Sequence, residues 1–208
     1  LIMLFKFLLI TSFFVQCLTG FSQNNSIKSF KKLSCHEKWW VIRHPFVAKK
    51  ALNISLVARL KTDSVKENNV LKGVGNGDQV DAFRHAYWMA ILQIEIGKNA
   101  AYSLGRSYER ANYRSFKKGV LEDGTPSDFA SKKMDVFNNK MGLKYSVKRD
   151  ARSKKGLIYK IVNAIKRGDL KVIKKDSFGN YLTCNGIIIL KEDLKKWKNS
   201  KCLIASKK

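Results

Sequence analysis

The segment Asp-Ala-Phe-Arg-His-Ala-Tyr-Trp, residues 81–88, carries the side chains of this sequence that are best suited to chemistry. On a helix, spacings of i, i+3, i+4 and i+7 bring side chains to one face, which here holds Asp81, Arg84, His85 and Trp88. Apolar residues that could face a core lie on the other side: Phe83, Tyr87, Ala90, Ile91 and Ile94. The polar face is therefore not needed to keep the helix soluble, and we interpret it as a candidate site.

Two later segments add polar groups that could join this site. Glu109 lies on the predicted next helix, and Asp135 lies on the helix after that, with Asn138 and Asn139 one turn further on. If the three helices pack as a bundle, these groups can converge. The predicted catalytic set is His85, Asp81, Arg84, Glu109 and Asp135. The predicted substrate contacts are Trp88, Asn138, Asn139 and His44.

The residue types indicate acid–base chemistry centred on His85. Imidazole titrates near neutral pH and is a natural general acid or base, while Asp81 or Asp135 would orient its ring. Arg84 would bind an anionic group such as phosphate or carboxylate. Two alternatives stay open: a divalent cation held by the histidine and carboxylates, which the sequence favours less, and a buried ion-paired network that only fixes helix register.

Helical periodicity accounts for most of the middle of the chain. Pro45 suits a first helical position and opens a helix over 45–62, so His44 is most simply its cap. Asp78 is the expected N-cap of a helix over 79–96, and a third helix follows over 98–113. Residues 115–125 form a polar insertion. The motif Thr125-Pro126-Ser127-Asp128 predicts a fourth helix that runs to about Lys140 and stops at Gly142.

The last third of the chain has a different character. We predict a short amphipathic helix over 157–165, a hairpin that pairs 170–173 with 181–182, a third short strand over 187–190 and a helical turn over 192–197. Cys184 and Cys202 are the expected disulfide, worth about 3 kcal/mol by loop entropy. Cys35 is then free or paired between molecules, although pairings through Cys35 stay open.

The fold class that follows is mainly α: a compact bundle of about four helices with a small C-terminal α+β appendage. Residues 1–22 are predicted to be a secretory signal peptide, with one charge, Lys6, an apolar run, and small residues Gly20 and Ser22 before a cleavage site. An uncleaved anchor is the alternative. The predicted units are 1–22 signal peptide, 23–142 helical domain and 143–208 basic appendage, with the mature chain exported.

The net charge of +25 indicates which kinds of molecule the protein could bind. Residues 78–142, which hold the candidate site, carry a net charge of +2, whereas residues 143–208 carry +14. A basic surface favours an anionic envelope component, either lipid or cell-wall polymer. The chain shows no motif for reading nucleic-acid grooves and no predicted membrane span after residue 22. Its aromatic and hydrophobic content excludes wholesale disorder.

These motifs resemble those of a bacterial family of domains of unknown function, family 6973. The resemblance rests on Trp40-x-x-x-His44-Pro45, on the octapeptide 81–88, on Glu109 and on Met134-Asp-x-x-Asn-Asn-x-x-Gly142, and it spans about residues 38–145. Such domains occur in secreted and toxin-like proteins, so the resemblance implies a helical domain and export, but no activity. One position differs, because Tyr108 stands before Glu109 where the pattern expects histidine.

The sequence leaves open whether the chain is an enzyme. The leading hypothesis is an exported, hydrolase-like effector that acts on an envelope component through the His85 cluster. The alternative is a non-catalytic basic envelope-binding protein whose polar cluster is structural. Whether the cluster opens to solvent or is sealed would separate the two.

Overall fold

A computed structural model of the protein describes residues 30–122, 125–146 and 154–207. The predicted signal peptide lies outside these residues. The prediction of a mainly helical fold with a small C-terminal sheet is confirmed. Among the described residues, no helix is both long enough and apolar enough to cross a membrane.

Helices dominate the chain order. They are α1 (Cys35–Arg43), α2 (Pro45–Glu67), α3 (Gln79–Ile96), α4 (Lys98–Lys117), α5 (Phe129–Tyr145), α6 (Lys154–Arg167) and the short α7 (Lys191–Leu194). Two strand pairs complete the fold: β1 (Leu121–Glu122) with β2 (Thr125–Pro126), and β3 (Lys171–Ile173) with β4 (Leu203–Ala205), both antiparallel.

Helix α3 lies at the centre of the molecule and packs against α2, α4, α5 and α6. Its start agrees with the prediction, because the Asp78 side chain accepts hydrogen bonds from the backbone N–H groups of Val80 and Asp81. One hydrophobic core runs from Trp40 in α1 to Val172 in β3. Residues on both sides of the predicted domain boundary at 142 contribute to it.

The contact between α3 and α5 is unusually close. A Cβ atom built on Gly142 would overlap the backbone carbonyl of Ala86, so only glycine allows the two helices to approach this far. The prediction that Gly142 stops the helix is wrong, because α5 continues to Tyr145. The glycine is selected here by packing against a neighbouring backbone, which sequence spacing does not reveal.

The start of α5 also differs from the prediction. Thr125 and Pro126 pair with Leu121 and Glu122 as a two-residue strand, and Asp128 is the N-cap, with its Oδ1 accepting from the Ser131 N–H at 2.8 Å. The helix therefore begins three residues later than the predicted cap at Thr125. Thr125 and Asp128 both have cap-forming side chains, so the sequence alone does not distinguish them.

The C-terminal unit contains the predicted disulfide between Cys184 and Cys202, and Cys35 is an exposed free cysteine. The predicted pairing of 170–173 with 181–182 is wrong, because Lys171–Ile173 pair elsewhere; Tyr181 and Leu182 form only isolated bridges, with Lys175 and with Ile188 of the predicted third strand. The main partner of β3 is instead β4, which the sequence analysis did not predict. Strand pairing across about thirty residues leaves no local sequence signal.

A buried ion pair joins this unit to the helices. The Lys201 ammonium lies 2.6 Å from Oδ2 of Asp128, and Asn199 donates to the same oxygen at 3.0 Å. Burial by itself would raise the pKa of the Asp128 carboxyl, but Lys201 and the hydrogen bonds outweigh burial and lower that pKa. Both side chains are under 10% exposed, so the pair is protected from solvent screening.

We predict that Gly142→Ala destabilises the protein by about 1–3 kcal/mol, because the added methyl group must push α3 and α5 apart. Intrinsic helix propensity alone would favour alanine by about 1 kcal/mol, so the sign of the change is diagnostic. Urea unfolding measures the difference. Lys140→Ala, an exposed substitution in the same helix, is the control and should change stability little. A more stable Gly142→Ala variant would contradict the close approach.

We predict that Lys201→Met costs about 3–5 kcal/mol near neutral pH, because it leaves the Asp128 carboxylate buried without its ammonium partner. The folded-state pKa of Asp128 is lowered, so the stability contributed by the pair is present above about pH 4 and is lost as the pH falls through the folded pKa. Wild type and variant should therefore converge in acid.

Urea titrations at neutral and acidic pH test this pH dependence. Lys196→Met is the matched control, since Lys196 forms an exposed pair with Asp193 and its loss should matter little at any pH. An equal loss of stability in the two variants, or a pH-independent difference for Lys201→Met, would contradict the prediction.

Candidate functional site

The predicted catalytic side chains come together around His85, in the middle of α3. Its Nε2 lies 3.3 Å from Oδ1 of Asp135 on α5 and 3.6 Å from Oδ1 of Asp81, one turn earlier on α3. Its Nδ1 lies 3.9 Å from Oε1 of Glu109 on α4. Three helices thus contribute to one cluster, as the sequence predicted. We call Asp81, His85, Glu109 and Asp135, with Arg84 and Asn139, the His85 cluster.

The Nδ1 side of His85 is held by an amide. Asn139 Nδ2 donates to Oε1 of Glu109 at 3.2 Å, which turns its Oδ1 toward Nδ1 of His85 at 3.3 Å. The reversed amide would face an oxygen toward the carboxylate and is disfavoured. Nδ1 therefore carries a hydrogen and donates to Asn139. The other nitrogen, Nε2, then faces the carboxylates of Asp135 and Asp81.

Glu109 is anchored a second time from its own helix. Asn112 Nδ2 donates to Oε2 of Glu109 at 3.0 Å, so both carboxylate oxygens accept a side-chain amide. Glu109 and Asn112 are both buried. The sequence analysis did not identify Asn112, although its i+3 spacing from Glu109 on one helix could have indicated this contact.

Asp81 is fixed by a glycine loop and by Arg84. The N–H of Gly77 donates to Oδ2 of Asp81 at 2.7 Å, and Arg84 donates to Oδ1 at 2.6 Å. Gly77 adopts a φ of +67°, a conformation that favours glycine. The loop before α3 turns its other N–H groups, those of Val74, Gly75 and Asn76, onto the Asp78 carboxylate. The N–H groups of the loop therefore bind both Asp78, which caps α3, and Asp81, in its first turn.

The cluster is nearly sealed from bulk water. Asp81, His85, Glu109 and Asp135 are each 6% exposed or less. A cavity of about 560 Å³ nevertheless reaches the cluster, and both Arg84 and His85 are among its lining residues. Most of its wall is apolar, supplied by α1 to α4 and including Trp40, Ala51, Leu52, Trp88 and Leu104.

The whole His85 cluster lies in the part of the chain that matches a known protein family. A family model described as domain of unknown function DUF6973 matches residues 38–169. The chain belongs to this family. The chain matches no curated protein and no solved structure. The match to DUF6973 begins within α1 and ends after α6, so it includes every residue of the His85 cluster and stops before β3.

Of the predicted substrate contacts Trp88 and His44, only Trp88 is among the residues that line the cavity. Trp88 lines the cavity and donates from Nε1 to Oγ of Ser55 at 2.9 Å. His44 joins α1 to α2, where its ring stacks on Trp40 and its Nδ1 lies 2.9 Å from the Trp40 carbonyl oxygen. Trp40 is buried, whereas Trp39 is exposed.

The two asparagines of α5 have separate tasks. Asn139 contacts His85, as described above. Asn138 is fully buried, and its amide both donates to the carbonyl and accepts from the N–H of Lys171, at 3.0 and 2.9 Å. Asn138 therefore pairs with strand β3 in the manner of a backbone segment, and it ties the DUF6973 helices to the C-terminal unit.

The C-terminal unit approaches the cluster from the Asp81 side. The hydroxyl group of Tyr181 lies 3.2 Å from Oδ1 of Asn76 in the glycine loop. Burial raises the pKa of Tyr181 to about 12, with smaller contributions from the charges of Asp128, Asp81 and Asp78. The phenol therefore stays protonated at neutral pH. Residues beyond the DUF6973 match thus help to enclose the site.

Proposed function

We propose that this protein is an exported, hydrolase-like enzyme that acts on an acidic, amphipathic lipid of the cell envelope through the His85 cluster. The observation that carries the proposal is the cavity, because its apolar wall meets the polar cluster at Arg84 and His85. Binding sites for small ligands commonly combine an apolar cleft of this size with a few polar groups. The proposal includes that the protein is a secreted bacterial protein of the toxin-associated kind.

The cavity supports a substrate with a hydrocarbon part and an anionic part. Leu52, Trp88 and Leu104 give the wall the character that suits an acyl chain. The Arg84 side chain is 21% exposed and forms part of the wall, so its guanidinium could contact a phosphate or carboxylate group. The Asp81 carboxylate holds Arg84 in that position.

The outer surface of α1 and α2 favours a lipid over a cell-wall polymer. These helices expose several large apolar side chains, among them Trp39, Ile42, Phe46, Leu56 and Leu60. Phe46 is 98% exposed. Residues 35–67 also carry seven basic and three acidic residues. Exposed aromatic and aliphatic side chains beside basic residues are typical of surfaces that bind anionic membranes.

Hydrolysis requires a group that activates water, and Nε2 of His85 with its two facing carboxylates fits this requirement. Nδ1 is occupied by Asn139, so the ring cannot turn to offer its other nitrogen without losing that hydrogen bond. Arg84 would hold the anionic group of the substrate close to Nε2. Asp81 and Asp135 were expected to orient the ring, but both face Nε2, so in this proposal they would stabilise the imidazolium that forms when His85 takes a proton, and Asn139 would orient the ring.

A second candidate function is a non-catalytic envelope-binding protein. The burial of His85, Glu109 and Asp135 favours this second function. A sealed cluster of paired groups is sufficiently explained by a structural role, in which it fixes the packing of α3, α4 and α5. Attachment would then come from the basic C-terminal third, which carries a net charge of +14. Such binding would weaken strongly as salt is added.

We predict that His85→Asn abolishes hydrolysis while the fold is kept. The asparagine amide can replace Nδ1–H as donor to Asn139 but leaves nothing at the position of Nε2. Activity should fall by at least about 100-fold, as is usual when an acid–base group is lost. The assay compares wild type and variant on phosphatidylglycerol vesicles, peptidoglycan and nucleic acid, and His36→Ala is the control histidine substitution.

The outcomes separate the two functions. Turnover of the vesicles by wild type and by His36→Ala, but not by His85→Asn, supports the enzyme. No turnover of any substrate, together with a lower melting temperature for His85→Asn and salt-sensitive vesicle binding, supports the non-catalytic protein. Equal turnover by wild type and His85→Asn would eliminate the proposed centre.

A further inference from the structure

We infer that Asp81, His85 and Asp135 form a binding site for a first-row divalent cation such as Zn²⁺ or Mn²⁺. The inference goes beyond the proposed function, because cation binding can be measured without any substrate. It rests on three observations: the spacing of the donor atoms, the orientation of His85, and the hydrogen bonds that hold the surrounding groups.

The donor atoms have the spacing of ligands that share one cation. Two ligands bonded at 2.0–2.1 Å in a tetrahedral arrangement lie roughly 3.4 Å apart. Nε2 of His85 lies 3.3 Å from Asp135 and 3.6 Å from Asp81. One potential ligand atom from each of the three residues lies within 4.8 Å of the other two, and all three residues are buried.

The orientation of His85 leaves the correct nitrogen for a cation. Because Nδ1–H donates to Asn139, Nε2 is the ring nitrogen that points at two carboxylate oxygens. A lone pair on Nε2 and these carboxylates repel one another unless a proton or a cation lies between them. Histidines that bind metals commonly donate their other N–H to a polar acceptor, and Asn139, held by Glu109, is such an acceptor here.

The carboxylate Asp81 is supported in the same way. Gly77 and Arg84 each donate to one of its oxygens. An ionised carboxylate oxygen accepts more than one partner, so Oδ1 can contact Arg84 and a cation together. The three carboxylates of the cluster outnumber its two basic side chains, Arg84 and His85, and a divalent cation offsets the excess negative charge. The guanidinium then lies where it can meet an anion bound to that cation.

The chemistry of the donors selects the class of cation. One imidazole and two carboxylates suit Zn²⁺ or Mn²⁺, whereas Mg²⁺ and Ca²⁺ prefer oxygen alone. Three protein ligands leave a coordination position for water, which is the arrangement of catalytic zinc centres. Tyr108 stands where the family resemblance expects histidine, which removes one possible ligand; it packs on Trp88 and lines the cavity, and the three donors all come from α3 and α5.

Cation binding is measured first on the full chain after chelator treatment. Titration calorimetry with ZnCl₂, MnCl₂, MgCl₂ and CaCl₂ should show one equivalent of Zn²⁺ or Mn²⁺ and much weaker binding of Mg²⁺ and Ca²⁺. Asp135→Asn removes a charged ligand at constant size and should weaken binding by at least about 100-fold, and Asn139→Ala by about 10–100-fold. Asp193→Asn, at an aspartate whose side chain is 45% exposed and far along the chain from the cluster, is the matched control and should bind as wild type does.

A second measurement needs no substitution, which covers the case in which Asp135→Asn does not fold. The chain has three histidines, His36, His44 and His85. Imidazole ¹⁵N spectra should show Zn²⁺ shifting Nε2 of one histidine only, the buried one. Shifts confined to the two other histidines, or affinity unchanged in a folded Asp135→Asn variant, would overturn the inference.

The inference and the proposed function fail separately. Stoichiometric binding at His85 with no turnover of any substrate keeps the cation site and eliminates the enzyme. Turnover of the vesicles by a chain that binds none of the four cations at His85 keeps the enzyme and eliminates the cation site. Binding together with chelator-sensitive turnover supports both.

Discussion

The close contact of α3 and α5 is the constraint on which the site depends. Gly142 lets the α5 backbone touch the α3 backbone at Ala86. Asn139 and Asp135 lie three and seven residues before Gly142 and so share its face, while His85 adjoins Ala86. Side chains as short as aspartate and asparagine reach an imidazole across two helices only when the helices approach this closely. The packing of two backbones thus sets distances of 3.3 Å at both nitrogens of the ring.

Burial then determines what the cluster must contain. Charged groups inside a helical bundle need hydrogen-bonding or ionic partners. Here Arg84 donates to Asp81, and Asn112 and Asn139 both donate to Glu109. The amide oxygen of Asn139 in turn contacts His85. Such a network is rigid, which suits catalysis and structural stabilisation equally. The cavity distinguishes this cluster from a purely internal one, because it brings an apolar, ligand-sized space up to the ring of His85.

Residues outside the DUF6973 match complete the enclosure. Asn138 pairs with the backbone of Lys171, and Lys201 forms a buried pair with Asp128, so the disulfide-linked C-terminal unit is held both at the start and in the middle of α5. This unit also carries most of the net charge. The docked C-terminal unit is therefore far more basic than residues 78–142, which hold the His85 cluster and carry a net charge of +2.

The sequence by itself determined helices α2 to α6 and the main residues of the cluster, because helical periodicity and capping are local properties of the chain, but it did not show α1. The octapeptide shows its polar face through spacing alone, and Glu109 and Asp135 follow from bundle geometry. Only the tertiary structure decided that Gly142 is a packing residue rather than a helix stop, that β3 pairs with β4, and that α1 and α2 enclose a cavity. Each of these depends on residues far apart in the chain, whose contacts are set by packing and leave no pattern along the sequence.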